Sequence, residues 1–159
     1  MPLALATPPV RVADPIARTA LAEFAATRSA DAFRRLVAQH VDAVYAHCLR
    51  RLDDPAAAED ATQAVFVALA QRAARLPAGT VLGGWLYVTA QNVCHNARRA
   101  RTRRQHHERK AAGMRPEVQD GAAESAAQWR DVRRVLDDAI AGLAAGLRDA
   151  VVLRFLDGR

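Results

Sequence analysis

The sequence predicts an all-α protein: a small helical bundle, a linker, and an incomplete helical C-terminal unit. Three observations predict it. The chain is alanine-rich with apolar residues spaced three and four apart; alternating Val/Ile/Thr runs are absent; and breakers such as Asp53, Asp54 and Pro55 separate the periodic stretches. A first helix starts at Asp14, with Pro15 in the first turn where its missing N–H costs nothing, and runs to about Thr27. A second begins near Ser29 and carries Phe33, Leu36, Val37, Val41, Val44, Tyr45, Cys48, Leu49 and Leu52 on a broad apolar face. Asp54 is the expected N-cap of a third, with Glu59 and Asp60 near the positive end of its dipole, and Leu76, Pro77, Ala78 and Gly79 end it. A loop with Gly79, Gly83 and Gly84 leads to a fourth helix from about Trp85 through an Arg cluster. Residues 105–124 mix charge, Gly and Pro without apolar periodicity and read as a linker. A fifth helix carries Trp129, Val132, Val135, Leu136, Ile140 and Leu143, and a short last segment holds Leu147, Val151, Leu153, Phe155 and Leu156. Those last two pieces are too small to form a stable core alone.

Among 159 residues there are 23 basic and 17 acidic side chains, and the net charge of +6 is localised. Residues 98–110 hold seven basic side chains (Arg98, Arg99, Arg101, Arg103, Arg104, Arg109, Lys110) and the single acid Glu108, a surplus equal to that of the whole chain. A cationic stretch on a neutral body points to a polyanion, because clustered Arg displaces counterions from a phosphate backbone. No run approaches the ~20 apolar residues of a membrane span, and MPLALATPPV lacks the basic start and long apolar stretch of a signal peptide, so a cytoplasmic location is expected. Cys48 and Cys94 read as reduced core residues.

Two helical faces could carry function. On the third helix Glu59, Gln63 and Phe66 recur at i, i+4 and i+7 with Asp60 beside them. This is either a solvated face whose Phe66 turns into the core, or a docking face for a basic protein surface with an aromatic anchor. On the fourth helix Leu86, Ala90, Val93 and Ala97 make a core stripe, opposite Val88, Asn92, His95 and Arg99, flanked by Gln91 and Arg98. Amides pair with base edges, Arg grips phosphate, and Trp85 or Tyr87 would stack on an unpaired base unless both are core residues. Catalytic signatures such as a Walker loop, GxSxG or HExxH are absent. The adjacent pairs His47–Cys48, Cys94–His95 and His106–His107 point ~100° apart on a helix, so neither an enzyme nor a metal or other cofactor is expected.

The order DAFRRLVAQHVDAVYAHCLRRL, DPAAAEDATQAVF, a Gly-containing loop and GWLYVTAQNVCHNARRARTRR resembles region two of the extracytoplasmic-function sigma factors of the sigma-70 family. The segment AIAGLAAGLRDAVVLRFLDG resembles the opening of region four. The resemblance implies a bacterial initiation factor that binds core RNA polymerase and promoter DNA, with an anti-sigma factor as a further candidate partner. It implies that Glu59, Asp60, Gln63 and Phe66 dock on the β′ clamp helices. Trp85, Leu86, Ala90 and Asn92 match the next signature, with Asn92 at a position associated with the minus-ten element, and the loop 77–84 matches the segment that captures a flipped base. Tyr87, His95, Arg98, Arg99, Arg101, Arg103 and Arg104 complete the expected DNA-binding set. Ala64, Thr89, Asn96 and Ala144 depart from the residues usual in the family. The expected organisation is an N-terminal extension with a short helix over 1–28, a region-two-like domain over 29–104, the linker over 105–124, and the start of a region-four-like domain over 125–159 without its helix-turn-helix, as in a fragment or truncation. The rival reading is a helical interaction module with nonspecific nucleic-acid contact and no promoter selectivity.

Overall fold

The computed structural model describes residues 15–112 and 124–152, with side chains described for 17–110, 131–132 and 135–152. Six helices follow in order: α1 (Pro15–Thr27), α2 (Ala30–Leu52), α3 (Pro55–Arg72), α4 (Leu82–Ala112), α5 (Glu124–Gly142) and α6 (Ala145–Val151). A 3-10 turn, Ala73–Arg75, closes α3, and no strand occurs among the described residues. The expected cap at Asp14, residues 113–123 of the expected linker, the Trp129 side chain, and Leu153, Phe155 and Leu156 lie outside the described residues.

Local chemistry sets the boundaries. Ser29 caps α2 by accepting from the Ala32 N–H at 3.3 Å, and Asp54 caps α3 by accepting from the Ala57 N–H at 3.2 Å, with Pro55 in the first turn. Asp53 ends α2 in the left-handed region at φ 56°, which short polar side chains tolerate, and its N–H donates to the Leu49 carbonyl. α4 differs from expectation at both ends. It begins at Leu82 rather than Trp85, and it continues through 105–112 into the stretch read as linker. Gln, Glu, Arg, Lys and Ala sustain a helix there, and no Gly or Pro interrupts before Gly113.

Helices α2, α3 and α4 pack on one another around a core of Leu36, Val44 and Cys48 from α2, Ala58, Ala61, Val65, Phe66 and Leu69 from α3, and Leu82, Leu86, Ala90 and Cys94 from α4. Helix α1 closes one side with Ala20 and Phe24, whose ring lies 4.9 Å from that of Phe33. Each large aliphatic chain in this core contributes roughly 1.5–3 kcal/mol by leaving water. Cys48 and Cys94 are free thiols, both buried where α2 meets α4.

Helix α5 packs in the opposite sense to its apolar pattern. Val132, Val135 and Leu136 face solvent, with Val135 69% exposed, while Asp137 is only 5% exposed. The helix meets α4 and α2 through its acidic residues.

Candidate docking and nucleic-acid faces

Successive residues of a helix turn about 100°, so the outward side of α3 can be mapped. Glu59, Asp60, Gln63, Ala64, Val67 and Gln71 are exposed and span one arc, whereas Ala58, Ala61, Thr62, Val65, Phe66 and Leu69 fill the other. Phe66 lies only about 20° from Glu59 in projection, at the margin between the arcs, where its ring turns into the core. It is 7% exposed, so the structure separates it from Glu59, Asp60 and Gln63. The apolar side chain on the exposed arc is Val67, 54% exposed and near the centre of that arc. Thr62 donates to the Ala58 carbonyl at 2.7 Å, which satisfies a buried hydroxyl on the inner side.

On α4 the core stripe of Leu86 and Ala90 is buried, and Asn92, His95 and Arg99 stand exposed along one line. Arg98 is half-buried; Arg101, Arg103 and Arg104 are exposed, as is every residue from 99 to 110, so this part of α4 projects beyond the bundle. Arg101 pairs with Asp54 at 3.4 Å across exposed surface, a contact worth little in stability. Trp85 is half-buried and packs against the core.

Tyr87, expected as a base-stacking candidate, points elsewhere. It is 6% exposed, and its hydroxyl donates to Asp137 Oδ1 at 2.9 Å. Its ring meets His47 edge-on at 4.7 Å between centroids. Gln91 is likewise buried and donates to Asp138, which also accepts from Arg51 at 3.0 Å. Together His47, Arg51, Tyr87, Gln91, Asp137 and Asp138 form a polar layer under α5. Burial holds the His47 imidazole down at a pKa of about 4 despite the opposing pull of Asp137. Burial and then the Asp137 charge push the Tyr87 phenol above its ordinary range. Two turns further along α4, nearly in line with Tyr87, the hydrogen bond between Cys48 and Cys94 lowers the first thiol and raises the second.

This layer was not visible as a site in the sequence. Arg51 stands beside Arg50 and Asp137 beside Asp138, so nothing in the local sequence singles out the buried member of either pair. Among the described residues no group of three His, Cys, Asp or Glu could hold a metal ion, and no helix is long and apolar enough to cross a membrane.

Comparison with known proteins agrees with the architecture. Residues 36–104 match the model of the family described as Sigma-70 region 2, which spans most of α2, all of α3 and the first part of α4. The RNA polymerase sigma factor CarQ of Myxococcus xanthus is 31% identical over 128 residues, covering 80% of this chain and 71% of that protein. The all-helical bundle, the region-two match and the extended likeness to a sigma factor lead to one assignment: the chain belongs to the sigma-70 family of RNA polymerase sigma factors, in its extracytoplasmic-function group.

Proposed function

We propose that this protein directs core RNA polymerase to promoters, recognising the minus-ten element and holding the melted strand through its region-two bundle. The observation that carries the reading is the exposed line of Asn92, His95 and Arg99 on α4, running into the projecting arginine tract. An amide reads a base edge, and the arginines neutralise phosphates. Unpairing costs a few kcal/mol per base, offset by capture of the unstacked base and by the phosphate contacts. The acidic outward arc of α3, with Glu59, Asp60 and Gln63, supports docking on the β′ clamp helices. The polymerase supplies the catalysis; the sigma factor supplies selectivity. This work belongs in the cytoplasm, and an anti-sigma factor is a candidate regulator.

The test is transcription in vitro with core polymerase on a promoter library. Initiation that prefers particular minus-ten sequences over scrambled DNA is expected. Equal initiation on both would refute promoter selection and leave a helical interaction module.

A further inference from the structure

We propose that the α2/α4 face carrying Arg51, Tyr87 and Gln91 is a second surface for single-stranded DNA, which α5 and α6 keep closed by occupying it with their own carboxylates.

Three observations converge on it. The groups beneath α5 are those that recognise nucleotides: a guanidinium, a phenol and an amide. Each is engaged by a carboxylate of α5, Tyr87 by Asp137 and both Arg51 and Gln91 by Asp138. An acidic side chain seated on Arg and an amide occupies the place a phosphate would take. On α4, Gln91 and Tyr87 lie about 100° and about 140° round the helix from Asn92, so this face is distinct from the line proposed to read the promoter.

Second, the cover extends to α6. A recess lined by His40, His47, Arg50, Gly83 and Tyr87 is capped by Val152, just beyond the end of α6. Asp149 approaches Gly84 so closely that a Cβ there would collide with its carboxylate. The close seat exists only because residue 84 has no side chain.

Third, the cover is held in large part by polar contacts. Asp137 and Asp138 tie α5 to α4 and α2 while Val132, Val135, Leu136 and Leu147 remain exposed. Of the cover's described aliphatic side chains, Ile140 is half-buried and Val152 buried, so apolar burial adds less to its hold than to the helix packing of the bundle. A cover closed nine-tenths of the time weakens apparent affinity for a competitor about tenfold.

Two variants of the full chain open the cover differently. Gly84→Ala evicts Asp149 without changing charge and places a better helix former in α4. Asp137→Asn/Asp138→Asn changes α5 alone and leaves the bundle intact. Binding is read by fluorescence anisotropy of a labelled mixed-sequence single-stranded DNA oligonucleotide without polymerase, and opening by hydrogen exchange of the α5 amides. Both variants are expected to speed α5 exchange and to bind about tenfold tighter, and adding Arg51→Gln to Gly84→Ala is expected to reverse the gain. Faster α5 exchange with unchanged affinity overturns the surface; unchanged exchange in both variants overturns the cover. Neither outcome depends on promoter selection, which the transcription assay tests separately.

Discussion

The buried imidazole of His47 makes the stability of this fold depend on pH in a calculable way. In the unfolded chain this group takes up a proton near its ordinary pKa of 6.5; in the folded protein burial delays uptake to about 4. Between those values unfolding binds a proton, so stability is fully present above 6.5 and drains away as pH falls toward 4. The shift corresponds to about 3 kcal/mol in total, and linkage places about 2 kcal/mol of the loss between about pH 7 and about pH 5. His47→Gln keeps a polar side chain of similar size but cannot titrate. Loss of the edge contact with Tyr87 offsets its stability by the same amount at every pH and cancels in the difference. Urea denaturation followed by circular dichroism at both pH values is the assay. Wild type is expected to lose about 2 kcal/mol more than His47→Gln on acidification, while carboxylates common to both proteins drop out. Parallel losses would show that His47 is not held neutral by burial, and the polar layer beneath α5 would need another account.

Three further outcomes are expected. Glu59→Lys/Asp60→Lys reverses two exposed charges on α3 and is expected to abolish core polymerase capture in a pull-down while thermal stability stays within about 0.5 kcal/mol. Asn92→Ala is expected to change base preference at the minus-ten element, whereas Arg101→Ala weakens binding to all sequences and lowers the salt slope by about 1, read from filter binding across a sequence and salt series. Leu69→Ala, at a fully buried position of α3, is expected to cost about 3–4 kcal/mol by chemical denaturation.

Much of the fold was legible because its boundaries rest on local chemistry. Ser29, Asp54 and Pro55 act within one turn of their own position, so the starts of α2 and α3 follow from the residue types alone. The α4 core stripe was legible for the same reason: Leu86 and Ala90 repeat at the helical period. The two faces were only partly legible. Glu59 and Phe66 are almost aligned in projection, and only packing decides that the arc boundary falls between them and leaves Val67 as the exposed apolar residue. Periodicity was a poor guide at α5, where Val132, Val135 and Leu136 of the apolar pattern stand exposed, Ile140 is half-buried and Asp137 is buried instead. The partners of Asp137 and Asp138 lie about 50 and 47 residues away on α4 for Tyr87 and Gln91, and 87 away on α2 for Arg51, separations that no local pattern encodes.

The projecting part of α4 has a kinetic consequence. At about 100° per residue, Arg98, Arg99, Arg101, Arg103 and Arg104 point to all sides of the helix rather than along one stripe. A rod charged all round attracts a polyanion from any direction but favours no single orientation. Its contribution is therefore long-range steering, which raises the rate of encounter and fades with salt as the Debye length shrinks. In the proposed function, register is left to the part of the same helix nearest the bundle. Lengthening or shortening the tail is then expected to change how fast DNA is met, without changing base preference at the minus-ten element.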